Sequence, residues 1–191
     1  MPDIGVARRT VLHVGCGAAD IGRLPAEFFP MEAWRELRLD IDPAARPDII
    51  ASITDMAAVE SGSVDGVFSA HNLEHLFAHE VPLALAEFRR VLRPGGFALV
   101  TVPDLQRVAG LVAADRLDEP AYVSPAGPIA PLDMIFGHRG AIAQGNLFMA
   151  HRTGFTARML EQALRAAGFP LVRVVRDERF ALWGAAYTAT G

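Results

Sequence analysis

The stretch VLHVGCG, residues 11–17, decides the fold. An apolar run broken only by His13 has the length of a short buried strand, and it stops at Gly15-Cys16-Gly17, where glycine permits a tight turn and close approach of the backbone to a ligand. Downstream, ADIGRLPAEFF (19–29) has helical character interrupted by Pro25, and WRELRLDID (34–42) reads as a second strand closed by Asp42-Pro43. The β-branched run DIIASI (48–53) predicts a third strand, and Ser63-Val64-Asp65-Gly66 turns the chain into a fourth, VFSA (67–70). PLALAEFRRVL (82–92) predicts a helix with Leu83, Ala86, Val91 and Leu92 on one face, ended by Arg93-Pro94-Gly95-Gly96 before a fifth strand, FALVTVP (97–103).

Strand and helix alternating over about a hundred residues predict an α/β fold, a doubly wound, mainly parallel sheet with helices on both faces. After it, residues 104–153 carry Pro120, Pro125, Pro128 and Pro131 and break the rhythm, so they read as an insertion acting as a lid or acceptor loop. TARMLEQALRAAGF (156–169) predicts a helix capped by Thr156 and stopped by Gly168, and LVRVVRDE (171–178) with FALWGAAYT (180–188) predicts an antiparallel last strand pair. No linker marks a second unit, so residues 1–191 are expected to form one domain.

The 191 residues are 51% hydrophobic and 21% charged, enough apolar surface for one core and far from the composition of disorder. A net charge of -4 with scattered arginines gives no long-range attraction to bulk nucleic acid; Arg89-Arg90 and Arg93 read as the solvated end of a helix. Cys16 is the single cysteine, which excludes an intrachain disulfide and a cysteine-based zinc site. The first ten residues lack the apolar run of a signal peptide, and no stretch is apolar enough for a membrane span, so a cytoplasmic chain without membrane contact is expected. Oligomeric state is open.

In such sheets ligands bind at the carboxyl ends of the strands. Gly15-Cys16-Gly17 allows a ligand close to the backbone, while Asp40 and Asp42 offer carboxylates to ribose hydroxyls, so an adenosine-containing cofactor is expected. The dinucleotide fingerprint G-x-G-x-x-G fails, because Asp20 takes its last position and suits a cationic ligand better than a pyrophosphate. This argues against a nicotinamide oxidoreductase.

VLHVGCGAAD (11–20), LDIDP (39–43), SVDGVFSAHNLEHL (63–76) and RVLRPGGFALVTVPD (90–104) occur in an order and spacing that resembles the class I S-adenosylmethionine-dependent methyltransferases. The resemblance implies a Rossmann-like sheet, S-adenosylmethionine as cofactor and in-line methyl transfer to a small-molecule acceptor. It implies that Gly15, Cys16 and Gly17 lie against the methionine part of the cofactor, that Asp40, followed by Ile41, binds ribose, that Ile53 and Asp55 in Ser52-Ile53-Thr54-Asp55 bracket adenine, and that Ala70 and His71 flank the cofactor. Three positions depart from the family pattern: His13 replaces an acid, Ala19 a third glycine and Ser52 an acid; Asp20 and Asp55 are candidates to compensate.

In-line displacement requires alignment rather than a protein nucleophile, and a nearby base helps where the acceptor is protonated. His71, His138 and His151 are the candidate catalytic bases, the last two beside Arg139, Gln144, Asn146 and Arg152, with Phe136, Phe148 and Met149 as packing residues. His71-Asn72-Leu73-Glu74-His75 also spells H-x-x-E-H, a zinc-protease pattern that His79 extends on the same helical face. A zinc-dependent hydrolase built on His71, Glu74 and His75, and a cofactor-binding protein without turnover, are therefore the alternatives. The resemblance implies that the Leu-Glu-His string belongs to the loop common after the fourth strand of the methyltransferase family, and no metal is expected.

Overall fold

The computed structural model describes residues 8–18 and 24–191. The first half of the chain supplies β1 (Arg9–Val14), β2 (Trp34–Asp40), the two-residue β3 (Ile49–Ile50), β4 (Val64–Ala70), α1 (Val81–Val91) and β5 (Leu92–Pro103). The segment predicted as an insertion holds α2 (Leu105–Ala113), β6 (Tyr122–Ser124), β7 (Gly127–Ile129), α3 (Pro131–Phe136) and α4 (Arg139–Ala143); α5 (Ala157–Ala166), β8 (Leu171–Arg176) and β9 (Ala181–Tyr187) follow. Seven strands form one sheet in the order β3-β2-β1-β4-β5-β9-β8. β1 to β5 run parallel and β9 is antiparallel to both β5 and β8. This is the expected Rossmann-like α/β sheet, with the expected antiparallel closing pair.

Side chains along β1, β4 and β5 alternate between two apolar layers, as the period of a strand demands. One layer joins Leu12, Val14, Val67, Ala98, Val100 and Val102 to α1 and α5. In α1 the buried stripe is Val81, Ala84, Leu85, Phe88 and Val91, at helical spacing. Leu83 and Ala86, expected on that face, are exposed: they stand about 100° or more round the helix from it. In α5 the Thr156 hydroxyl accepts from Met159 N at 3.3 Å, and Leu160 and Leu164 are fully buried. Each such leucine stabilises the fold by roughly 1.5–3 kcal/mol. They close on the sheet at Gly184, where an added Cβ would stand 3.0 Å from Leu164 Cδ1 and 3.2 Å from Leu160 Cδ2.

The other layer is aromatic: Val11, Phe29, Trp34, Phe68 and Leu99, with Phe29 stacked on Phe97 at 5.5 Å. Among the described residues, it is covered by the segment from Leu24 to Trp34 and not by a helix. The helix read over 19–29 is a series of turns where the structure describes it, and residues 19–23, with Ala19 and Asp20, lie outside the described residues. Among the described residues no α-helix connects β1 to β2, β2 to β3 or β3 to β4; the second connection is a 3-10 turn, Pro43–Ala45. The parallel strand order is kept although these connections hold no α-helix where they are described.

Residues 104–153, read from the sequence as an insertion acting as a lid or acceptor loop, form a folded layer of three helices and a two-stranded hairpin. Pro131 occupies the first turn of α3, where its missing N–H is not needed, and Pro128 sits in a two-stranded hairpin opposite Val123. Val108, Ile129 and Met134 form a small core of their own. At its root the fully buried Asp104 accepts from Gln106 N at 3.2 Å and from Arg176 Nε at 2.8 Å, pinning α2 to β8. At its other end Arg152 N and Thr153 N donate to Glu74 O at 2.8 Å and 3.2 Å, which ties the layer to the loop after β4.

Candidate active site

Because β1 to β4 are parallel, Gly15-Cys16-Gly17, Asp40, Ser52–Asp55 and His71 emerge at one edge of the sheet. Gly15 and Gly17 have φ of 60° and 59°, a left-handed conformation that side chains resist. At Gly15 there is no room either: an added Cβ would stand 2.4 Å from Nδ2 of Asn72. The glycine is required twice, by backbone conformation and by the asparagine lying on it.

The loop is held from β2. Asp40 is 8% exposed; its Oδ2 accepts from Gly17 N at 2.8 Å and its Oδ1 from Asp42 N at 2.9 Å. Each oxygen keeps a second lone pair for a hydroxyl donor. Arg38, which the sequence did not single out, reaches the Gly17 carbonyl and also donates to Ala45 O at 3.2 Å and Arg46 O at 3.0 Å. Gly17 is thus gripped at its N–H by an acid and at its carbonyl by a base. Burial pushes the Cys16 thiol up to about 11 against the opposing Arg38 charge, so it is a packing group.

At His13, where the family pattern has an acid, the buried imidazole Nδ1 lies 2.6 Å from Oε1 of Glu36 on the neighbouring strand. A carboxylate absent from β1 is supplied one strand away, and no spacing rule in the sequence connects the two residues. After β3, Ser52 Oγ and Thr54 Oγ1 bond at 2.7 Å and Asp55 Oδ1 accepts from Ala57 N at 3.3 Å. The Ile53 side chain belongs to the core, leaving its backbone to a ligand; Ile41, by contrast, is 50% exposed at the end of β2.

Beyond Ala70, the chain turns sharply at His71, whose φ is 48° and whose N–H donates to Thr101 O at 2.9 Å. Its Nδ1 lies 3.2 Å from Oε1 of Glu74, and half of its side chain is open. Burial works against the imidazolium, but the hydrogen bond and charge of Glu74 outweigh it, and the His71 pKa lies above the ordinary histidine value. Glu74 is 1% exposed; burial would raise its pKa, yet the hydrogen bond from His71 and the nearby His71, His75 and His151 hold it below the ordinary range. Burial lowers the pKa of His151, opposed by the charge of Glu74. The stretch 73–75 is a 3-10 turn, so His71 and His75 do not form the helical ligand pair of a zinc protease.

The structure brings His71, Glu74, His75 and His151 together; the His75 and His151 rings meet edge to face at 4.8 Å. His138 is the N-cap of α4: its Nδ1 accepts from Ala141 N at 3.1 Å. Arg139 is committed to Asp133 through Nε–Oδ1 at 2.8 Å and Nη2–Oδ2 at 3.1 Å. Arg152 donates to His75 O at 3.3 Å and lies over the Phe77 ring. Phe136 and Phe148, expected as packing residues, are 59% and 55% exposed.

The family cofactor fits these residues. The Gly15 cradle would be filled by a Cβ, Asp40 keeps lone pairs for ribose, and buried Nδ2 of Asn72, beside the glycine, has no partner among the described residues.

A family model described as a methyltransferase domain matches residues 12–100. No curated protein matches the chain. Among solved structures, the chain is similar to 1,6-didemethyltoxoflavin-N1-methyltransferase of Burkholderia thailandensis, at 18% identity and a TM-score of 0.59 over 95% of this chain and 72% of that one. That structure holds 1,6-didemethyltoxoflavin and S-adenosylhomocysteine. An S-adenosylmethionine-dependent methyltransferase of Methanosarcina mazei gives 15% identity and a TM-score of 0.62, covering 96% of this chain and 94% of the other. One from Archaeoglobus fulgidus gives 13% and 0.58, covering 95% and 87%. With the glycine loop, the strand order and the matched segment in agreement, residues 12–100 match the methyltransferase-domain family, and the chain as a whole shares the fold of the solved S-adenosylmethionine-dependent methyltransferases.

Proposed function

We propose that the chain methylates a small-molecule acceptor held at the carboxyl ends of β4 and β5, beneath the layer of residues 104–153, and that His71 receives the acceptor's proton. The observation that carries this reading is the His71–Glu74 pair: a half-open imidazole at the end of β4, with Nδ1 oriented by a buried carboxylate. S-adenosylmethionine, when bound, supplies an electrophilic methyl group on a sulfonium. The glycine loop and Asp40 hold and orient it, and Asn72 offers its unpartnered Nδ2–H to an oxygen acceptor there. His71 Nε2, left free by the bond at Nδ1, faces the acceptor, and the folded insertion acts as the lid or wall that keeps water out. His151 lines the same space, while His138 acts only through the shape of α4.

A small acceptor agrees with the molecule bound in the toxoflavin methyltransferase structure. The test is methyl transfer from labelled S-adenosylmethionine into the small-molecule fraction of a cell extract. His71→Gln should abolish incorporation while binding of S-adenosylhomocysteine stays within a few-fold. Undiminished incorporation by the variant removes His71 from the reaction.

A further inference from the structure

We propose that Glu74, His75 and His151 bind one divalent transition-metal ion, and that this ion takes a hydroxyl oxygen of the acceptor. One ligand atom from each residue lies within 4.8 Å of the others, so a small closing movement brings all three onto one ion. Glu74 is almost wholly buried, yet its Oε2 has no partner among the described residues, although its Oε1 is engaged by His71. A buried, unpaired carboxylate oxygen is costly, and a cation between it and two imidazoles removes that cost.

The surroundings match what metal-binding histidines require. His151 Nδ1 lies 3.0 Å from the Met134 carbonyl, which fixes the proton there and leaves Nε2 as a lone pair. His75 stands between the carbonyl oxygens of Ala150 (Nδ1, 3.2 Å) and His71 (Nε2, 3.0 Å); a neutral ring donates to one of them, and a small turn of the ring away from the second carbonyl frees its other nitrogen for the ion. The two ligand-bearing segments are stitched together by the bonds from Arg152 N and Thr153 N to Glu74 O, so the ligands come from braced backbone. This set differs from the H-x-x-E-H reading, in which His71 was a ligand. The metal-free expectation rested on reading Leu73-Glu74-His75 as a loop string, with His151, which arrives from the far end of the insertion, read as a candidate base.

Two imidazoles and one carboxylate leave several coordination positions open, a donor set suited to zinc, manganese, cobalt or iron(II) rather than to an all-oxygen calcium cage. An acceptor hydroxyl in an open position loses its proton more readily. Its oxygen then forms the bond to the donor methyl as the sulfur–methyl bond breaks. The products are a methyl ether, S-adenosylhomocysteine and one proton, which passes to His71. This rests on the methyl-transfer reading above and narrows the acceptor to hydroxyl compounds able to chelate a metal.

The experiment is titration of Mn2+, Zn2+ and Co2+ into the chelator-treated chain, followed by calorimetry and, for cobalt, by its visible absorption. The expected result is one equivalent bound, with cobalt bands of a nitrogen- and oxygen-ligated ion. His151→Asn should weaken binding on the order of 100-fold or more while binding of S-adenosylhomocysteine and the far-ultraviolet circular dichroism are retained. His71→Gln should keep the metal and lose transfer, which separates this proposal from the role of His71. If none of the three ions binds, or if His151→Asn binds them as tightly as the parent chain, the metal site is refuted even where methyl transfer is found.

Discussion

Replacing Asp40 by asparagine tests the hinge between fold and cofactor. The carboxylate accepts two backbone N–H groups, Gly17 at 2.8 Å and Asp42 at 2.9 Å, from a nearly buried position. Asparagine keeps one acceptor oxygen and turns an NH2 group toward the other N–H. One charge-assisted bond is lost, worth about 1.5–3 kcal/mol, and a donor faces a donor. For a chain of 191 residues this corresponds to a fall in Tm of roughly 4–10 °C. The same oxygens are those proposed for ribose, so affinity for S-adenosylhomocysteine should fall roughly ten- to a hundredfold. Scanning calorimetry and titration calorimetry read the two effects separately. Asp42→Asn is the control: its Oδ1 caps an exposed 3-10 turn through Ala44 N at 2.8 Å, and the change should be small in both assays. An Asp40→Asn chain with unchanged Tm and affinity refutes the reasoning; a fall in Tm with full affinity leaves the brace and removes the ribose contact.

Gly15→Ala should destabilise more than Gly17→Ala in thermal unfolding, since both meet the left-handed backbone, a penalty of about 1–2 kcal/mol, but only Gly15 also meets Asn72; equal shifts refute the contact. The Cys16 thiol, raised by burial to about 11, should react with iodoacetamide at pH 8 at least about 100-fold more slowly in the native than in the unfolded chain, and comparable rates place it at the surface. Asp133, held at about 2 by its bonds to Arg139 and Ala130 against the cost of burial, stabilises the fold fully above pH about 4. That contribution, about 2 kcal/mol with the half-exposed Arg139 screened by solvent, is lost as the pH falls from about 4 through 2. Asp133→Asn should remove this part of the acid dependence of stability, and an unaltered acid profile contradicts the assignment.

The parallel core was legible because its strands are short apolar runs stopped by glycine, proline or aspartate. Thus VLHVG, LDIDP and FALVTVP stand where β1, β2 and β5 end. The α5 cap and stop were legible for the same local reason, at Thr156 and Gly168. In the insertion, local rules misled: Pro131 and Pro128 read as breakers, but one starts a helix and the other lies in a hairpin, positions that tolerate a missing N–H. The face of α1 was misplaced because Leu83 is apolar yet points to solvent. At the candidate site, the strand-end positions of Gly15 and Asp40 were readable from the sequence and that of His71 came with the family resemblance, whereas the Glu36 partner of His13 and the Arg38 grip on Gly17 depend on which strands pair. The meeting of Glu74 with His151 depends on the return path of a folded insertion, which no periodicity encodes.

The most direct test of the account is a crystal structure of the chain with S-adenosylhomocysteine bound. The account predicts the ribose hydroxyls on Asp40, the amino-acid end over Gly15–Gly17 beside Asn72, and the sulfur facing His71 across a space closed by residues 104–153. A nucleoside bound away from Asp40, or a sulfur with neither His71 nor His151 on the side where the methyl leaves, would contradict it.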